Sequence, residues 1–115
     1  MREIKFRAWN GKFMEIRNFN LEWNKKNETH FHKGATLMQF TGLKDKNGKE
    51  IYEGDIVITD NLLKYYVFFM NGFYCLKSVK TNLVIHKIWE MDNLEVIGNI
   101  YENPELLNSA QEKEK

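Results

Sequence analysis

The apolar positions of this 115-residue chain recur mainly with a period of two. In Glu3-Ile4-Lys5-Phe6-Arg7-Ala8-Trp9, the side chains of Ile4, Phe6 and Ala8 fall on one side of an extended backbone, and those of Lys5, Arg7 and Trp9 on the other. Such alternation marks a half-buried strand. Asn10-Gly11 follows at once, and this dipeptide tolerates the positive φ angles of a two-residue hairpin turn, so residues 12–19 are predicted to return as a second strand. Asn47-Gly48 and Asn71-Gly72 repeat the signal. The last is the clearest, with Tyr65-Tyr66-Val67-Phe68-Phe69-Met70 leading in and Phe73-Tyr74-Cys75-Leu76 leading out. Three such corners between β-prone segments predict a meander of hairpins.

Elsewhere the pattern is shorter. Residues 24–34 are polar and read as a loop, and residues 36–41 as a strand whose inward face Leu37 and Met38 leave open. Residues 42–50, rich in Lys, Asp, Asn and Gly, read as an exposed turn; Glu53-Gly54-Asp55 reads as a tight one before a short buried strand at 56–59. Segments 84–89 and 94–101 complete the β content, and Gly98 marks a bulge or a close backbone approach. Beyond it Asn103 suits an N-cap, Pro104 a first helical position and Glu105 the helix dipole, while Leu106, Leu107 and Ala110 form an apolar stripe. A short helix over residues 104–112 is expected. The fold class is therefore mainly β: a small barrel or strongly curved antiparallel sheet, one domain over 1–103, with the helix and charged tail of 104–115 packed on it. Ile4, Phe6, Leu37, Phe40, Ile56, Ile58, Val67, Val96 and Ile100 are the expected buried set.

Composition narrows the class. Hydrophobic residues make up 43% and charged residues 29%, a globular balance that excludes wholesale disorder. The formal charge of +1 argues against a strongly basic nucleic-acid arm. Charge is uneven, with eleven Lys or Arg against six Asp or Glu in residues 1–50 and four against seven in residues 51–103. Cys75 is the sole cysteine, so no internal disulfide forms. The longest apolar run, residues 65–70, is too short to cross a bilayer, and the first residues lack a signal peptide's apolar core. A cytoplasmic protein is expected.

Three blocks carry a resemblance. Met1-Arg2-Glu3-Ile4-Lys5-Phe6-Arg7-Ala8-Trp9 is similar to the start of the YopX family of phage and prophage proteins. Gln39-Phe40-Thr41-Gly42-Leu43-Lys44-Asp45-Lys46-Asn47-Gly48-Lys49-Glu50-Ile51-Tyr52-Glu53-Gly54-Asp55-Ile56-Val57 resembles that family's most recognisable stretch. Leu94-Glu95-Val96-Ile97-Gly98-Asn99-Ile100-Tyr101-Glu102-Asn103-Pro104-Glu105-Leu106-Leu107 matches as well. The resemblance implies a phage-encoded, mostly β protein of a bacterial host whose relatives have no established biochemical activity, and it carries over no catalytic residues. In the middle block, Gly42, Gly48 and Gly54 sit where turns need freedom from a Cβ, and Asp45, Asn47, Glu53 and Asp55 stand beside them as turn-stabilising polar groups.

Candidate chemistry is sparse. His30, His32 and Glu28 would share one face of a strand and could supply metal ligands, but no further acidic ligand follows within reach, and no metal or cofactor is assigned. Glu53 and Asp55 lack the additional carboxylate or lysine of a nuclease site. Cys75 lies in apolar company that leaves a thiol inert. A binding role has more to draw on. Lys5, Arg7 and Trp9 share one strand face, a cationic and aromatic combination suited to stacked bases or to a protein interface. Sixteen aromatic residues exceed what one small core readily hides. The expectation is a non-enzymatic module for a macromolecular partner, protein ahead of nucleic acid, with no membrane role. Self-assembly into a homo-oligomer is the alternative, and a metal-dependent hydrolase stands behind both.

Overall fold

A computed structural model describes residues 4–18 and 34–108 of the chain. Nine strands pair there, all antiparallel: β1 (Lys5–Trp9), β2 (Met14–Asn18), β3 (Thr36–Lys44), β4 (Glu50–Tyr52), β5 (Asp55–Ile58), β6 (Lys64–Met70), β7 (Phe73–Ser78), β8 (Val84–Lys87) and β9 (Glu95–Asn99). They form a four-stranded sheet in the order β2-β1-β3-β4 and a five-stranded sheet in the order β8-β7-β6-β5-β9. The mainly β, antiparallel class holds, but the strands divide between two sheets instead of closing into one barrel.

The three Asn-Gly corners turn the chain in three different ways. At Asn71-Gly72, Met70 lies opposite Phe73 and both turn residues have positive φ, the tight turn whose twist matches that of its strands. At Asn10-Gly11, Trp9 lies opposite Met14, leaving a four-residue loop in which Asn10 Oδ1 accepts the amides of Lys12 and Phe13. At Asn47-Gly48, Lys44 lies opposite Glu50 around a five-residue loop. A side-chain acceptor one or more residues before the glycine satisfies the amides a two-residue turn would leave to the ladder, so the longer loop wins.

The main core joins Ile51, Val57, Tyr65, Val67, Tyr74, Leu76, Ile88, Leu94 and Val96. Of the expected set, Phe40, Ile56, Val67 and Val96 are buried, whereas Ile4, Phe6, Ile58 and Ile100 are half-buried. Leu37, expected to be buried, points outward, and Met38 takes the inward place. The register explains this: Met38 lies opposite Arg7, on the side of β3 that meets the β4–β5 turn, and its sulfur sits against Gly54.

The expected C-terminal helix is not found. Pro104–Leu107 forms a single 3-10 turn, Asn108 is already extended, and the described residues hold no α-helix. Ala110 and Glu112 lie outside the described residues. Asn103 does not cap, because its Oδ1 accepts the amide of Asn99 at 3.1 Å. That contact belongs to a bulge in β9: Ile56 pairs with Gly98 but Val57 with Val96, leaving Ile97 as the extra residue. The bulge read from the sequence at Gly98 is therefore present, and what approaches the glycine closely is a side chain, not backbone: a Cβ there would stand 2.5 Å from Asn103 Oδ1.

Candidate functional site

The face of β1 carrying Lys5, Arg7 and Trp9 turns inward. Arg7 is only 8% exposed. Its Nη2 donates to Asp55 Oδ1 at 2.7 Å and to the Glu53 carbonyl at 3.2 Å, and its guanidinium lies 4.6 Å from the centre of the Tyr52 ring. Lys5 Nζ donates to Glu50 Oε2 at 2.6 Å, and Trp9 stacks on Tyr101 with ring centroids 6.4 Å apart. The expected open cationic and aromatic surface is therefore corrected: these side chains meet acidic and aromatic partners from β4, β5 and the segment after β9. Strand alternation separates two faces, but it cannot say that both are covered.

The turn residues lock the two sheets together. Asp45 Oδ1 accepts the amides of Asn47 and Lys49 at 2.9 and 2.8 Å, while Oδ2 accepts the amide of Val96 in β9 at 2.9 Å. Beside it the Lys46 amide donates to the Leu94 carbonyl at 2.9 Å, and Gly48 closes the loop onto the Asp45 carbonyl. Burial acts to raise the Asp45 carboxyl, yet the amide donors of Val96, Lys49 and Asn47 outweigh it and hold the group below its ordinary value. Asp55 behaves in the opposite way. Burial pushes its carboxyl up, against the opposing charge of Arg7 and the Tyr52 amide that donates to Oδ2 at 2.8 Å. Gly54 sits at φ +84°, donating to the Val67 carbonyl and accepting the Ile100 amide, so the β4–β5 turn touches both β6 and the end of β9. Glu53 returns to the first sheet, its amide donating to the Gln39 carbonyl and its Oε1 accepting the Gln39 amide. Gly42, also at positive φ, lies where the β3–β4 register slips between Phe40 and Lys44.

This interlocking leaves a groove of about 500 Å³ between the sheets, lined by Ile4, Gln39, Thr41 and Leu43 on one side and Phe69, Gly72, Phe73, Tyr74, Ile88 and Trp89 on the other. Phe73 is 41% exposed and Trp89 54%, with Leu43 and Phe69 also open to solvent. Phe73 meets Trp89 edge-on at 5.4 Å, and Phe69 meets Tyr74 in the same manner at 5.0 Å. Lys87 Nζ stands 4.7 Å from the Phe73 ring centre and 5.6 Å from that of Trp89. Local structure places each ring. The Asn71-Gly72 corner brings the end of β6 beside the start of β7. After β8, Ile88–Glu90 forms a 3-10 turn that buries Ile88 and turns Trp89 outward, while Glu90 Oε1 accepts the Lys87 amide at 2.7 Å.

Of these groove residues, sequence pattern assigns Ile4 to the core and marks none as a binding residue. The surplus of aromatic residues was visible, but which rings stay exposed depends on where β8 ends and how the sheets meet. Among the other candidates, Glu28, His30 and His32 lie outside the described residues. His86 packs edge-on against Tyr65 at 6.3 Å, and Cys75 is buried with Sγ 3.7 Å from the Phe73 carbonyl. Among the described residues, no group of three His, Cys, Asp or Glu could hold a metal ion, and no helix is long and apolar enough to cross a membrane.

Comparison with known proteins places this arrangement among relatives. The YopX protein family matches residues 18–108. The crystal structure of protein EF1440 from Enterococcus faecalis is similar with a TM-score of 0.62 and 30% identity, over 91% of this chain and 98% of that one. The X-ray structure of protein yopX from Bacillus subtilis is similar with a TM-score of 0.56 and 26% identity, over 89% of this chain and 96% of that one. No curated protein matches the chain.

Proposed function

The chain belongs to the YopX family, and from that premise we propose that it is a phage-encoded accessory protein of the bacterial cytoplasm that acts by binding a protein partner in the groove between its sheets. The observation that carries this reading is the convergence of exposed Phe69, Phe73, Trp89 and Leu43 on one concavity. Large apolar side chains left in water cost free energy, about 25 cal/mol per Å² of apolar surface, and a cluster of them at one site favours a partner that covers it. Trp and Tyr also dominate the energetics of protein interfaces.

The groove suits a protein better than a nucleic acid. Base stacking needs open ring faces in series with cations for the phosphates. Here the Phe73 and Trp89 rings meet edge to face, and Lys87 lies against both. The lining is rings and aliphatic groups, with Gln39 and Thr41 as polar members, which fits capture of apolar side chains without chemistry on the bound segment. No cofactor and no membrane enter this role.

Fluorescence anisotropy tests it with two labelled probes, a pool of short apolar and aromatic peptides and a mixed-sequence single-stranded DNA. The peptides are expected to bind, and Phe73→Ser with Trp89→Ser together to weaken them at least about tenfold. DNA binding that falls steeply with salt, with no peptide bound, would replace this reading with a nucleic-acid one.

A further inference from the structure

Four residues other than glycine have positive φ among the described residues: Asn71, Asn82, Asn93 and Leu62. Asparagine tolerates that conformation; a leucine does not adopt it without strain. Leu62 closes the β5–β6 loop, where its amide donates to the Thr59 carbonyl and the Thr59 amide donates to the Leu63 carbonyl. Burial does not compensate, because Leu62 is 51% exposed and its neighbour Leu63 is exposed as well. Leu83, 64% exposed, lies in the β7–β8 loop at the same end of the five-stranded sheet. A strained, doubly leucine-bearing tip that contributes little to its own core is a feature whose use lies outside its own chain.

We propose that this tip, residues 60–63, docks in the aromatic groove of a second copy of the chain, so that copies associate head to tail. The proposal rests on the groove being a protein-binding site and names its occupant. A chain cannot fill its own groove this way: the tip precedes β6 and the groove's Phe69 and Phe73 lie at its far end, roughly 20 Å away at about 3.3 Å per residue. The charges match across the contact. Asp60 stands exposed beside the two leucines, and exposed Lys87 borders the groove. In its own chain Asp60 has long contacts, 3.3 Å from Asn93 Nδ2 and 3.9 Å from Lys46 Nζ, leaving its carboxylate available to a facing ammonium. Because tip and groove are different surfaces, the contact is heterologous and continues from copy to copy until a ring closes or a filament grows.

Size-exclusion chromatography with light scattering decides this on the full chain. The wild type is expected at a multiple of the 13.8 kDa chain mass. Leu62→Asn with Leu63→Asn, and separately Phe73→Ser with Trp89→Ser, are each expected to run at the single-chain mass. Asparagine at position 62 suits the left-handed turn, so the tip variant keeps its fold, which its denaturation midpoint verifies. Mixed one to one, the two variants retain one working tip and one working groove between them, and the mixture is expected at twice the chain mass and no larger. Asp60→Lys is expected to dissociate the assembly, and adding Lys87→Asp to restore it. A wild type that stays at the single-chain mass at its highest soluble concentration overturns the inference, as does a tip variant that assembles like the wild type. Peptides that still bind the groove in that event would leave the broader reading in place, and peptides that fail to bind would remove it separately.

Discussion

At the scale of single residues, Asp45 and Gly54 hold positions that few other side chains could fill. Asp45 carries three backbone hydrogen bonds that span the β3–β4 loop and β9. Bonds to a charged group contribute about 1.5–3 kcal/mol each to stability but are not additive, so Asp45→Ala is expected to cost about 2–4 kcal/mol in urea denaturation. Its carboxyl is held below the ordinary value of 3.8, so its stabilisation is complete above that pH and is lost as pH falls through the lower folded value. Asp55 has the opposite sign: its raised carboxyl adds stability below pH 3.8 that is lost as pH rises through the folded value. Asp45→Asn should therefore flatten the fall in stability below about pH 4, read as urea midpoints across an acid series. At Gly54, positive φ combines with a Met38 sulfur 3.0 Å from where a Cβ would stand. Gly54→Val is expected to cost about 1–3 kcal/mol, and an unchanged melting curve would contradict the turn assignment.

Among the elements, those set by neighbours in sequence were legible and those set by distant partners were not. The β6–β7 hairpin follows from the β-prone runs flanking Asn71-Gly72, where nothing beyond six residues on either side is needed. Alternation leaves the Arg7 face of β1 looking open, because its partners, Asp55 and the Glu53 carbonyl, come from a turn more than forty positions away. The C-terminal helix failed for a similar reason. Asn103, Pro104 and Glu105 are sound local signals, but the bulge at Gly98 takes the Asn103 side chain before it can cap. A direct check is available. Gly98→Ala places a methyl in the path of Asn103 and should cost about 1–3 kcal/mol, as overpacking does. In the Asn103→Ala background, where that carboxamide is gone, the same glycine substitution should cost clearly less, as a double-mutant cycle in urea would read.

Across the whole molecule, two open sheets are joined by short polar clasps: Asp45 to Val96, Lys46 to Leu94, and the Glu53-Gly54-Asp55 turn to β1, β3 and β6. The sequence blocks that carry the family resemblance are largely these clasps, which accounts for their density in Gly, Asp and Asn. The groove lies mostly outside them, with Phe69, Phe73 and Trp89 all between the matched blocks, so no family pattern pointed to it. If the proposed groove is where a partner binds, contact falls at Trp89, 54% exposed, and not at the half-buried Trp9, which stacks on Tyr101. Two-dimensional NMR of the indole N–H groups during titration with the apolar peptide pool tests this most directly. The Trp89 resonance is expected to move in proportion to occupancy while that of Trp9 stays in place. Movement of Trp9 with Trp89 unchanged would contradict it.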